Sequence, residues 1–169
     1  MKLLLKPILT EEFDYVSDKS VDSLKSDIRQ LFDKTRGWNF SVNLTGEFTS
    51  DSEFKMIPKW QFSRIKGGES KEAYLNGRIF EDEYKRTRVK FTVRPNSMYP
   101  LFFFIFPLFG SLALTSDDVR NKDVIDIVGL IVVVFVVIPG AMLLFGHFAK
   151  KGIKDRFIKT FNLRPDPKR

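Results

Sequence analysis

The sequence predicts an α+β fold: a β-α-β-β-β-β antiparallel sheet with one packed helix, followed by a transmembrane α-helical hairpin. Three observations predict it. Residues 38–48, WNFSVNLTGEF, alternate strictly between apolar and polar, the period of a half-buried strand. Upstream, Val21, Leu24, Ile28, Leu31 and Phe32 recur at helical spacing on one face. Every residue from Pro95 to Ser116, and again from Ile127 to Ala149, is uncharged. Each such run is long enough to cross roughly 30 Å of hydrocarbon at about 1.5 Å per residue.

The elements follow in order. MKLLLKPIL does not read as a secretory signal, because Lys6 and Pro7 interrupt its leucines and no small-residue cleavage site follows. FDYVS reads as the first strand. Ser20 is a natural N-cap for the helix over SVDSLKSDIRQLF, and Gly37 stands beyond its end. In the strand over 38–48, Trp38, Phe40, Val42, Leu44 and Phe48 share one face. TSDS turns the chain into EFKMIPKWQF, where Phe54, Met56, Trp60 and Phe62 share a face. Pro58 cannot donate to a ladder, which puts this strand at an edge or bulges it. IKGGESKE is a loop. AYLNGRIF and TRVKFTVR form a final hairpin around EDEYKR, with Val89, Phe91 and Val93 facing one way and Arg88, Lys90, Thr92 and Arg94 the other.

Residues 1–97 are therefore expected to form a cytoplasmic α+β domain. Residues 98–149 form a two-helix transmembrane hairpin, with spans at about 98–115 and 126–147. No linker separates the two, since the last strand runs through Arg94 and Pro95 straight into the first span. Charge supports an orientation with both termini cytoplasmic. Residues 1–97 carry +3, residues 98–126 carry −2, and residues 127–169 carry +6. Cations flank the outer ends of both spans, whereas the connecting segment holds Asp117, Asp118, Asp123 and Asp126.

The tail, 150–169, reads as basic, amphipathic and cytoplasmic. Ile153, Phe157 and Phe161 recur every four residues among Lys150, Lys151, Lys154, Arg156 and Lys159. That makeup suits a helix lying in the interface, cations on anionic headgroups and stripe in the acyl boundary. The alternative is that the stripe packs on the soluble domain. Gly152 lets the helix bend away from the span, and Pro165 and Pro167 end it.

Few residues point to catalysis. The chain has no cysteine and one histidine, so thiolate chemistry and disulfides are excluded. His147 sits at the cytoplasmic end of the second span, as an interfacial residue. The carboxylates at 81–83 fall in a hairpin tip and read as a solvated turn, because a catalytic pair needs a pocket that drives its pKa values apart. KGGES lacks the Lys-Ser/Thr and helix of a phosphate loop. The polar face of the sheet gathers Asn39, Asn43, Lys59, Arg78, Arg88, Lys90 and Arg94, a possible partner face whose modest charge does not suit nucleic acid. Neither span holds an ionisable group in its middle, which argues against a transporter.

The segment YLNGRIF…TRVKFTVRPN, followed directly by aromatic-rich spans, resembles small bacterial two-span membrane proteins of unassigned activity. The resemblance covers residues 74–110 and implies a bacterial inner-membrane setting. The expected function is a non-enzymatic interaction module or small subunit of an inner-membrane complex. The alternative is a sensor-effector whose hairpin oligomerises to perturb the membrane. No cofactor is expected. The expected partners are membrane lipids, anionic on the cytoplasmic side, and a protein or second copy of the chain.

Overall fold

A computed structural model of the chain describes residues 9–35, 44–58, 73–115 and 123–166. Its elements are β1 (Glu11–Ser17), α1 (Val21–Thr35), β2 (Thr45–Phe48), β3 (Glu53–Ile57), β4 (Ala73–Glu81), β5 (Thr87–Pro95) and α2 (Met98–Ala113). A long helix, α3, then runs over Val124–Phe161, and a two-residue strand, β6 (Arg164–Pro165), closes the fold. The expected β-α-β-β-β-β order is present. All strands join one antiparallel sheet in the order β2-β3-β4-β5-β1-β6.

That order explains the path of α1. β1 lies beside β5, whereas β2 stands at the far edge, so the chain between them must cross the sheet. α1 makes the crossing, packing on β2 and β4. It starts where Ser20 Oγ accepts the Ser23 N–H at 3.3 Å, an N-cap satisfying an otherwise orphaned donor. Leu24, Ile28, Leu31 and Phe32 face the sheet and are buried.

The sheet's inner face follows the pleat. Phe54 and Met56, Leu75 and Ile79, then Val89, Phe91 and Val93 are buried, with Lys55, Arg78 and Lys90 exposed on the other side. Gly77 occupies an inner position between Phe54 and Phe91. A Cβ there would lie 2.2 Å from the Phe54 ring, so only glycine lets that ring lie flat on the strand. β3 is internal rather than at an edge, correcting the reading of Pro58. The strand ends at Ile57, one residue before proline would cost it a ladder bond. Trp38, Phe40, Val42, Trp60 and Phe62 lie outside the described residues.

For the tail, the second of the two readings of its apolar stripe is the one observed. Ile153, Phe157 and Phe161 are 1%, 0% and 4% exposed and belong to the sheet's own core, with Leu163 behind them. α3 packs on β4 and β5, sharing β4 with α1 and covering β5 beside it. The cause is one of width. Six strands about 4.8 Å apart span roughly 24 Å, more than a single helix about 10 Å across can cover. Phe157 sits where the aromatic rings converge, 5.1 Å from Phe91, 5.6 Å from Phe54 and 5.3 Å from Phe161. The apolar stripe is therefore buried in protein rather than in an acyl boundary. α3 passes through Gly152 unbroken and ends at Asn162, whose φ of 50° is left-handed, before either tail proline.

α3 has one irregularity, a π turn at Val133–Val137, where Ile138 N–H bonds back to Val133 O. Pro139 follows directly. Proline has no N–H and its ring crowds the carbonyl four residues earlier, here Phe135. The π turn shifts the bonding to i−5 at that point and relieves the conflict. Two residues separate β5 from α2, and there Asn96 Oδ1 accepts the Met98 N–H at 2.8 Å. α2 and α3 lie against each other, tightly at Gly110, where a Cβ would come 2.1 Å from Val134. α3 is long and apolar enough to cross a membrane, while α2 is apolar but shorter.

Candidate functional site

Among the described residues, three surfaces collect chemically active side chains: the junction of α3 with β1, the outer face of the sheet, and the turn between β4 and β5.

At the junction, Lys150 lies on the same α3 face as Ile153, Phe157 and Phe161. Its side chain is only 5% exposed, so its ammonium must be paired. Nζ donates to Glu11 Oε1 at 2.5 Å and to the Leu9 carbonyl at 2.9 Å. The sequence placed Lys150 among headgroup-binding cations; the fold spends it on β1. Lys150, Lys151, Lys154 and His147 line one wall of a 230 Å³ groove whose other wall is Glu11 and Phe13. Lys154 Nζ stands 4.9 Å from the centre of the Phe13 ring, a cation–π arrangement. Arg156 and Lys159 are exposed and are not among the residues lining it.

The outer sheet face brings four of the sequence-selected cations together. Arg78 pairs across the ladder with Lys90, and β5 alone presents Arg88, Lys90, Thr92 and Arg94 on that side. Asn39, Asn43 and Lys59 lie outside the described residues. The face is not uniformly basic, because Glu53 stands opposite Arg78 and Asp14 opposite Lys90. A shallow 490 Å³ depression at its centre is lined by Glu12, Lys55, Asn76, Arg78, Lys90 and Thr92, among others. Asn76 Oδ1 is buried there with no hydrogen-bond partner among the described residues. Arg94 stacks its guanidinium 4.8 Å from the Tyr74 ring.

Arg88 has a different role. It forms a charge-assisted hydrogen bond with Asp166 and stands 3.5 Å from Asp14 Oδ1, an ion pair without hydrogen-bond geometry. It therefore fastens the chain after β6 to the sheet.

The EDE turn is built by its middle residue. Asp82 Oδ1 accepts the N–H groups of Tyr84 and Arg86, and Oδ2 accepts from Arg86 Nε, all at 2.9 Å. Burial pushes the Asp82 pKa up, but the bonds from Arg86 and Tyr84 outweigh it and hold the carboxyl below its ordinary range. Lys85 takes a φ of 56° to complete the turn. Burial also raises the Tyr15 phenol, with the Asp155 charge adding to the effect. Among the described residues no cluster of His, Asp and Glu is arranged to hold a metal ion.

Comparison with protein-family models, curated proteins and solved structures finds no match. The resemblance of residues 74–110 accordingly rests on those residues alone.

Sequence reasoning missed Glu11, Asp166 and the Asp82 cap. Glu11 and Asp166 lie far along the chain from their partners, and nothing local signals such a pairing. Asp82 was legible, because Asp opening a tight turn followed by basic residues is a recurrent Asx arrangement.

Proposed function

We propose that the chain is a membrane-anchored, non-enzymatic interaction module. α2 and the first half of α3 form a two-span hairpin in the bilayer, and the sheet domain stands on the cytoplasmic surface as a docking platform for a protein. The observation that carries this reading is the division within α3. Its apolar stretch is 6% buried, yet the same unbroken helix ends inside the sheet's core. Apart from Leu9 and Tyr84, every strongly exposed large apolar side chain among the described residues lies on α2 or on α3 before Ala149. Such a surface exceeds what water-facing proteins leave bare, and lipid is the cover that suits two helices apolar on all sides.

The short α2 accommodates a bilayer by local thinning and interfacial anchoring, with Tyr99 near its start as anchor. Basic flanks and the acidic connecting segment support cytoplasmic termini. The resemblance of residues 74–110 supports a bacterial inner membrane as the setting. The outer sheet face, with Arg78, Lys90 and Arg94, is the docking surface we assign to the protein partner.

The chain lacks cysteine, so Ser52→Cys and Asn121→Cys report topology cleanly. An impermeant thiol reagent applied to intact cells is expected to label the Asn121→Cys protein and spare the Ser52→Cys protein. Labelling of both, or release of the protein by alkaline carbonate, contradicts the anchor. Arg78→Glu with Lys90→Glu is expected to abolish copurification of a stoichiometric partner from mild detergent.

A further inference from the structure

We propose that the groove between β1 and α3 binds the phosphate of an anionic phospholipid, an inference that rests on the membrane anchoring proposed above. Leu144, His147, Lys151 and Lys154 follow one another at spacings of three, four and three residues and so form one stripe along α3. The last three line the groove. Its single lining carboxylate, Glu11, is already held by Lys150, and Asp155, 3.8 Å from Lys154 Nζ, is not among the lining residues, so three lysines share the groove with one carboxylate. Ammonium groups donate several hydrogen bonds and meet phosphate oxygens as charge-assisted pairs.

Depth selects a lipid over a soluble anion. The uncharged run of α3 ends at Ala149 and its first cations follow at once, which sets the groove at headgroup level. On its membrane side Leu144 and Phe148 are 60% and 63% exposed, a track for an acyl chain. A phosphate among the cations and a hydrocarbon tail on these two side chains satisfy both halves of the surface. The site is also rigid. Both walls belong to one core, and the Lys150–Glu11 pair ties them together, so little ordering remains to oppose binding.

The test uses full-length protein in a nonionic detergent, with bound lipid counted by native mass spectrometry. Phosphatidylglycerol is expected to be retained in preference to phosphatidylcholine. Lys151→Gln with Lys154→Gln is expected to weaken that retention about tenfold or more. Arg156→Gln with Lys159→Gln removes the same charge outside the groove and is expected to leave retention unchanged. Equal losses in the two double variants overturn the site in favour of diffuse attraction. Displacement of the lipid by millimolar inorganic phosphate overturns the lipid assignment, and absence of preference overturns the proposal outright. His147→Gln, at an exposed position, supplies a weaker loss should the lysine variant fold poorly. Carbonate extraction of the wild-type chain separates the two readings: a membrane-retained protein without lipid preference fails only here, whereas a released protein overturns both.

Discussion

Lys150 is the residue on which the sheet and the long helix depend together. Its charge is taken out of water between α3 and β1 and is matched by Glu11 and the Leu9 carbonyl. Removing one member of a buried pair leaves the other uncompensated, whereas replacing both with apolar groups is often neutral. Lys150→Ala is therefore expected to destabilise the protein by about 3 kcal/mol, and Lys150→Met with Glu11→Leu to recover most of the loss. Denaturant unfolding in detergent measures both; equal stability of Lys150→Ala and wild type contradicts the buried pair. At this scale the sequence was ambiguous. Lys150 begins a basic run, and in such a run nothing distinguishes a lysine that meets lipid from one that meets a carboxylate on the first strand.

At the scale of elements, α3 joins two environments in one continuous helix. Its apolar first half and its amphipathic second half are each legible in composition, but the partner of the second half is not. An i, i+4 apolar stripe flanked by lysines serves an interface and a protein core equally well. What decides is the width of the sheet, which a strand count makes too broad for α1 alone. The strands themselves were readable wherever the pleat alternates, as in Val89, Phe91 and Val93. Pro58 misled because a proline beside a strand resembles a proline within one. The burial of the stripe has a direct consequence: Phe157→Ala opens a cavity among Phe54, Phe91 and Phe161. It is expected to cost about 3–5 kcal/mol, whereas Lys159→Ala on the exposed side should fall within about 0.5 kcal/mol of wild type. Near-equal unfolding midpoints for the two variants contradict the packing of α3 on the sheet.

For the molecule as a whole, the sheet domain is not continuous in sequence. Residues 11–95 supply the main sheet and α1, and residues 150–165 supply the second covering helix and the strand that borders β1. Whatever tilts or turns the apolar half of α3 is thus transmitted into the core through Ile153, Phe157 and Phe161, without an intervening linker. α2 attaches closely too, with two residues between it and β5. A division at residue 97, natural from composition, cuts through this shared core. The most direct measurement compares two soluble chains, residues 1–97 alone and residues 1–97 joined by a glycine-serine linker to residues 150–169. Hydrogen exchange and thermal unfolding of the joined chain are expected to report a cooperative fold with protected strands. Residues 1–97 alone are expected to bind a hydrophobic dye and unfold without a cooperative transition. Cooperative unfolding of residues 1–97 alone, at the same midpoint as the joined chain, would contradict the account.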